Sequence, residues 1–329
     1  MNLPKISIIT PSFNQGNYLE ETILSVINQN YNNLEYIVID GGSTDGSVEI
    51  IKKYASRINY WISEKDSGQS AAINKGFEKC TGEIVAWLNS DDCYLDGTLQ
   101  KVVEYFSTGD HALLYGKTIL FGDKRREIEK GLDDPVDVFL KCLAFVPFPQ
   151  PSTFFKRLVL TEQGKLDETL HYGMDHDLFA RVALNYNILG VDDVFSKYRF
   201  HETSKSNFHL KFAEERTKVF SRVLRSFSES AVYIEALKDI GMYSEGSDSY
   251  SVSKKFAVSD LKKVFIYFLE IQMHYYYLAL EIKKSKIIAK FLLEYKDSFV
   301  NEKDARKIYQ RALYINKYLI SFLRKFTQD

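Results

Sequence analysis

The chain has 329 residues, 45% hydrophobic and 26% charged, which suits one large globular domain or two. No run of 18 or more apolar residues occurs, so no membrane-spanning helix is expected. The net charge of −1 hides an asymmetry: residues 251–329 hold 16 Lys and Arg against 8 Asp and Glu, the rest 27 against 36, which suggests two parts with different duties.

In chain order, "KISIIT" (5–10) is a β-branched run and predicts a strand, with loop chemistry after it in "PSFNQGNY". "LEETILSVINQ" (19–29) has apolar residues at helical spacing, and "EYIVID" (35–40) is a second apolar strand. "GGSTDG" (41–46) reads as a turn, "SVEIIKKY" (47–54) as a helix start, "YWIS" (60–63) as a short third strand. A helix over "SAAINKGFEKC" (70–80) leads to a fourth strand, "EIVAWL" (83–88). Apolar strands alternating with amphipathic helices predict an α/β fold whose mostly parallel sheet is covered on both faces. Further on, "ALLYGKTILF" (112–121) and "VFSKYRF" (194–200) read as strands, "FPQPSTFFKR" (148–157) as an ordered loop, and "MDHDLFARVAL" (174–184) as a helix with acids in its first turn. Beyond about residue 208 the pattern is helical only. Val264, Phe268, Ile271, Tyr275, Leu278 and Ile282 form one stripe; Ile308, Ala312, Ile315, Leu319, Phe322 and Phe326 form another. The expected domains are therefore 1–208 and a helical region 209–329, with a polar break at 244–253.

In an open α/β sheet, ligands bind outside the carboxyl ends of the strands. Those ends supply Pro11 and Ser12, then Asp40, then Asp66 and Gly68, then Asn89, Ser90, Asp91 and Asp92. Four acids on one sheet edge would repel an anion, and a hard divalent cation such as Mg²⁺ or Mn²⁺ resolves the conflict. Asp40 and Asp66 have a second use, accepting hydrogen bonds from ribose hydroxyls or a base N–H. Each acid also has a plainer explanation: Asp40 before Gly41–Gly42 shapes a turn, and Asp91–Asp92 form a solvated, exposed strand-end loop. No phosphate-cradling G-x-x-x-x-G-K-[ST], no G-x-G and no H-E-x-x-H occurs. Cys80, Cys93 and Cys142 are widely spaced and odd in number, which favours neither a disulfide framework nor a zinc site. The N-terminus lacks the pattern of a secretory signal, so a cytoplasmic location is expected.

"SIITPSFNQGNYLEETILSVINQNYNNLEYIVIDGGSTDGS", "WISEKDSGQSAAINKG" and "TGEIVAWLNSDD" together resemble the family 2 glycosyltransferases, with a likeness extending from residue 5 to about 205. The resemblance implies the GT-A fold and an enzyme that moves a sugar from a nucleotide-sugar donor, expected to be a UDP-sugar, to a glycan or lipid-linked glycan acceptor in polysaccharide biosynthesis. It implies that Asp91–Asp92 match the family's "DXD" element, with Asp92 on the metal and Asp91 near the ribose. Pro11, Asp40 and Asp66 match nucleoside contacts, with Ser12 and Gly68 beside them on the donor side. Inverting transfer needs one base to take the acceptor hydroxyl proton, and a metal to neutralise the leaving diphosphate. The family places that base in an "ED" pair opening a helix. Here "GMDHDL" puts Met174 in place of the Glu and Asp175 at the base, with Asp177 facing away at i+2. Asp175 as a mere helix-start acid is the plainer alternative. "YRFHETSKS" resembles the family's R-x-H-x-x-S element, making His201 a metal ligand or phosphate contact and Arg199 and Lys205 phosphate neutralisers. "FPQPSTFF" resembles an acceptor-side loop, with Gln150 and Ser152 as candidates.

The expected partners are thus a nucleotide sugar, a glycan or lipid-linked acceptor and Mn²⁺ or Mg²⁺, without nucleic acid. The basic helical tail (251–329) docks on the inner face of a membrane or packs on itself or on a second copy. A catalytically degenerate relative that binds nucleotide sugar or scaffolds a polysaccharide assembly is the alternative. A receiver-like phosphoacceptor domain is excluded, because its acidic pair would follow the first strand, which here ends in Thr10–Pro11–Ser12.

Overall fold

The computed structural model describes residues 3–122, 127–131, 137–202, 204–295 and 297–314. From the N-terminus run β1 (Ile6–Ser12), α1 (Gly16–Ile27), β2 (Leu34–Asp40), α2 (Ser47–Lys53), β3 (Tyr60–Ser63), α3 (Gln69–Lys79) and β4 (Ile84–Trp87). Next come β5 (Cys93–Tyr94), α4 (Thr98–Phe106), β6 (Leu113–Gly122), β7 (Ile128–Lys130), α5 (Val138–Ala144), β8 (Thr153–Lys156), α6 (Leu158–Gln163), α7 (Met174–Asn185) and β9 (Ile188–Phe200). Helices α8 (His209–Arg225), α9 (Ala231–Asp239), α10 (Val258–Leu278), α11 (Ile282–Tyr295) and α12 (Glu302–Tyr314) complete the described chain. Its described residues form two compact units, one from those within 3–138 and 146–204, the other from those within 139–145 and 205–314.

The first unit is an α/β domain built on one sheet, ordered β3-β2-β1-β4-β8-β6-β9-β5, with β7 paired to β6. β3, β2, β1 and β4 are parallel; β8 is antiparallel to β4 and β6, and β9 is parallel to β6. All seven residues of β1 are buried, as a central strand covered on both faces requires. Helix α1 buries Leu19, Ile23, Val26 and Ile27, its helically spaced face, against the core that includes Ile6, Ile8, Tyr36 and Val38. Helix α3 lies so close to β1 that a Cβ at Gly76 would stand 2.4 Å from Ile9 Cγ2. Gly76→Ala is expected to lower stability by about 1–3 kcal/mol through overpacking, read as a lower urea midpoint at unchanged slope.

One feature of β1 opens the sheet where a ligand can enter. Its ladder with β4 runs only from Ile6↔Ile84 to Ile9↔Trp87, while its ladder with β2 continues to Ser12↔Asp40. Pro11 has no N–H to give, and it falls where β4 has already left. The chain runs outward from β1 to β2 and β3, then crosses back through α3 to place β4 on the other side of β1, so the strand order reverses between β1 and β4, the topological switch point of a doubly wound sheet.

The second unit is helical. Phe220 on α8 stacks on Phe268 of α10 at 3.9 Å between ring centres, and Phe265 of α10 meets Phe291 and Tyr295 of α11. Of the expected stripes, Val264, Phe268 and Ile308 are in the core, Ile271, Tyr275 and Ala312 are half-buried, and Leu278 is exposed; α11 and α12 add Ile288, Leu292 and Ala305 to the core. The stripe expected to run on to Ile282 is interrupted, because Leu280 adopts φ 61° between α10 and α11. Ile315, Leu319, Phe322 and Phe326 lie outside the described residues, as do Arg324 and Lys325. Among the described residues, no helix is long and apolar enough to cross a membrane.

Candidate active site

At the carboxyl end of β2, Asp40 is fully buried and its carboxylate is already engaged. One oxygen accepts from the amides of Gly42 (3.1 Å) and Ser43 (2.9 Å) and from Ser63 Oγ (2.6 Å); the other accepts from Ser43 Oγ (2.5 Å). It ties the 41–43 turn to the end of β3. Asp66 is half-buried and accepts from the Gly68 amide at 2.9 Å. Its other oxygen lies against Gly41, where a Cβ would be 2.9 Å away, so a larger residue there would push the Asp66 carboxylate aside. Gly68 itself takes φ +123°, a backbone that other residues rarely adopt, and starts α3. Pro11 and Ser12 are buried at the end of β1, and Ser12 Oγ has no hydrogen-bond partner among the described residues.

The two carboxylates after β4 have opposite surroundings. Asp92 is fully buried, so the expectation of an exposed acid is corrected here. One of its oxygens accepts the Arg199 amide at 3.0 Å and the other faces Asn89 Nδ2 at 3.4 Å, while its own carbonyl accepts Thr22 Oγ1 at 2.8 Å. Burial, and secondly the neighbouring Asp91 charge, push its pKa well above the usual carboxylate range. Asp91 keeps 22% of its side chain exposed and points a carboxylate oxygen at His201 Nε2, 3.0 Å away. His201 is stacked on Tyr18 of α1 at 5.0 Å between ring centres. Its amide donates to Ser204 Oγ (2.9 Å), and the Ser204 amide returns a bond to the His201 carbonyl (3.0 Å). The H-x-x-S spacing is therefore a local clamp on the His201 backbone, while Tyr18 and Asp91 contact its ring.

Arg199 is a brace. Its Nε donates to the Asp91 carbonyl at 3.1 Å, its guanidinium pairs with Glu21, and that same group lies over the rings of Tyr18 (4.8 Å) and Phe121 (4.3 Å). This side chain holds the Asp91–Asp92 turn. Gln69 Nε2 donates to Asn89 Oδ1 at 2.7 Å, Asn89 Nδ2 reaches Gln150 Oε1 at 3.3 Å, and Gln150 Nε2 donates to the Trp87 carbonyl at 2.9 Å. Gln150 thus joins the end of β4. Ser152 is fully buried, with its hydroxyl on the Lys117 carbonyl (2.6 Å) and Ser196 Oγ (2.6 Å).

The acids opening α7 also differ. Asp177 is buried and bound by Arg181 through Nη2 (2.7 Å) and Nε (3.0 Å), a charge-assisted pair that fixes it. Asp175 is half-buried and accepts the neighbouring His176 amide at 2.8 Å. Met174 turns inward, and its sulfur accepts Ser70 Oγ at 2.9 Å.

Two residues at this edge were missed by pattern reading. Tyr18 supports both His201 and Arg199. Phe13, directly after β1, is 61% exposed. Its loop is pinned by Asn14, whose amide donates to Ser43 Oγ (2.8 Å) and whose side chain accepts the Thr44 amide (2.9 Å), and by Gly16, whose amide donates to Asp45 (2.8 Å). An aromatic ring held outward by a rigid loop next to a sheet's carboxyl edge was the available signal.

Residues 7–177 match the family model described as glycosyl transferase family 2. The chain belongs to that family. A glycosyltransferase of Rickettsia typhi, itself uncharacterized, is 26% identical to this family 2 glycosyltransferase over 263 residues, 73% of this chain and 80% of that protein. A putative teichuronic acid biosynthesis glycosyltransferase of Bacillus subtilis, TuaG, is 33% identical over 135 residues, 40% of this chain and 54% of that protein. Among solved structures, S. aureus TarS 1-349 in complex with UDP-GlcNAc superposes with a TM-score of 0.61 at 17% identity, covering 98% of this chain and 92% of that one. The mannosyltransferase PcManGT from Pyrobaculum calidifontis, in complex with GDP-Man and Mn²⁺, gives 0.57 at 18% identity, covering 98% and 84%. These likenesses show the GT-A fold.

Proposed function

We propose that this family 2 glycosyltransferase is a metal-dependent inverting enzyme that takes its sugar from a nucleotide sugar, a UDP-sugar first of all. The acceptor is a glycan or lipid-linked glycan in polysaccharide synthesis. The observation that carries the metal is the Asp91–His201 pair, at a sheet edge and partly open to solvent. Its 3.0 Å separation equals that of adjacent corners of an octahedron with ligands at about 2.1 Å. A carboxylate oxygen and an imidazole nitrogen suit Mn²⁺ or Mg²⁺. Among the described residues no group of three His, Cys, Asp or Glu converges, so the remaining ligands are donor phosphates and water. In this reading the metal moves from Asp92 to Asp91, and Asp92 acts from beneath by fixing the turn. The bound cation neutralises the leaving diphosphate.

The donor's nucleoside lies over the ends of β1, β2 and β3, with Asp66 as its open acid and Phe13 as its base platform. Asp175 takes the acceptor's proton. The Mn²⁺ and GDP-Man in PcManGT, the UDP-GlcNAc in TarS and the polysaccharide named for TuaG support this reading by kinship. It places the enzyme in the cytoplasm at the membrane's inner face, with exposed Lys283 and Lys290 of α11 drawn to anionic lipid.

Phe13→Ala is expected to weaken UDP binding by about 1–3 kcal/mol, the loss of one base–aromatic stack, without lowering the melting temperature. Calorimetry with UDP and Mn²⁺ checks it. The whole reading is tested by a panel of sugar nucleotides with Mn²⁺, read as nucleotide release. Release from no donor, with or without acceptor extracts, favours the degenerate binding protein instead.

A further inference from the structure

Helix α3 is bonded along one side to the segment that leads into Asp175. Asn74, 4% exposed, pairs with Leu166 in both directions: its Nδ2 donates to the Leu166 carbonyl (2.9 Å) and its Oδ1 accepts the Leu166 amide (3.0 Å). The same Nδ2 reaches Glu168 Oε1 at 3.0 Å. A side-chain amide here does what a neighbouring strand would do, satisfying both polar groups of one buried backbone residue. One turn earlier, Ser70 (1% exposed) donates to the Leu170 carbonyl (2.8 Å) and to Met174 Sδ (2.9 Å). Residues 70 and 74 are i and i+4, so both face the 166–174 segment. The first helical residue of α3 follows Gly68, whose amide is held by Asp66. Gly68 also lies close to that segment: a Cβ on it would be 3.6 Å from His171 Nδ1.

We propose that Asn74 and Ser70 are positioning residues that set Asp175 relative to the donor-side loop at Asp66–Gly68, so that α3 carries both halves of the reaction as one body. The proposal rests on the assignment of Asp175 as the base. A base must stand within hydrogen-bond reach of the proton it takes, and a misplacement of about 1 Å costs on the order of 10²-fold. The inward Met174 has a use in this scheme. An acid at that position would put a second carboxylate beside Asp175, whereas the thioether takes the Ser70 hydroxyl and anchors the helix start.

The test is a double-mutant cycle on the full chain. The donor is the sugar nucleotide that gives the fastest nucleotide release in the panel, with Mn²⁺ present. Asn74→Ala is expected to lower kcat roughly 10–100-fold while leaving donor KM and calorimetric UDP–Mn²⁺ affinity unchanged. Ser70→Ala, which removes only a hydroxyl, should show the same split with a smaller loss. It serves as the second variant if Asn74→Ala does not fold. In the Asp175→Asn background, neither change should lower the residual rate further, because the group they position is gone. If Asp175→Asn is impaired and Asn74→Ala still multiplies the loss, or if UDP affinity falls in step with kcat, the positioning role is overturned. If Asp175→Asn retains full activity, the base assignment itself has failed, and that outcome is separate from the first.

Discussion

Asp91→Asn is expected to abolish Mn²⁺-dependent sugar transfer, while Asp92→Asn retains most of it. The adjacent carboxylates have different jobs. Asp91 presents an oxygen to His201 with part of its side chain in solvent. An amide there loses the anionic oxygen that a hard cation needs, and loss of a charge-stabilising group of this kind costs on the order of 10²–10³-fold. Asp92 is sealed from solvent and accepts the Arg199 amide. A carboxamide oxygen of the same shape accepts the same backbone amide, so the turn keeps that bond. His201→Gln should raise the Mn²⁺ concentration for half-maximal activity at least roughly tenfold, a weaker effect than loss of the carboxylate. Removal of metal by chelator should stop nucleotide release, and added Mn²⁺ should restore it. The measurement is rate against Mn²⁺ for all four proteins, with Mn²⁺–UDP binding by calorimetry. An inactive Asp92→Asn beside a fully active Asp91→Asn would return the metal to Asp92.

That contrast marks the limit of what the sequence carried. That the four strand-end motifs share one sheet edge was legible, because apolar strands of a parallel sheet all emerge at the same edge. Which of two neighbouring acids turns outward was not legible. Arg199, more than 100 residues away, sets it by bonding the Asp91 carbonyl and the Asp92 carboxylate together. Asp40 was weighed as a ligand contact or a turn-shaping acid, and four local donors now occupy it. The stretch 148–157 read as loop because Pro149 and Pro151 punctuate it. Its second half is β8, antiparallel to β4, with Phe154 and Phe155 fully buried. The continuous apolar stripe through Ile282 concealed a helix break, since Leu280 takes its positive φ without a glycine or proline to announce it. Two-residue β5 had no periodicity to read, because its order comes from pairing with β9.

The clearest separation expected at the other end of the reaction is between Asp175 and Asp177. Both open α7, and spacing alone set them on different faces. Their partners now distinguish them more sharply. Asp177 is buried against Arg181, which also donates to the carbonyls of Gln163, Gly164 and Lys165. Replacing Asp177 by Asn leaves a buried guanidinium without its counter-charge, so Asp177→Asn should lose about 3–5 kcal/mol of stability. The fraction that remains folded should keep near-normal kcat. Asp175→Asn should behave in the opposite way. Half-buried, it sits in the first turn of a helix, where a carboxylate contributes only about 0.3–1 kcal/mol through the dipole, so melting should hardly change. Its kcat should fall on the order of 10²–10⁴-fold, the usual worth of a general base, at unchanged UDP–Mn²⁺ affinity. Thermal melts and single-turnover rates on the two variants give the answer together. A folded, inactive Asp177→Asn beside an active Asp175→Asn would move the base one residue pair along the helix and leave Asp175 as a helix-start acid.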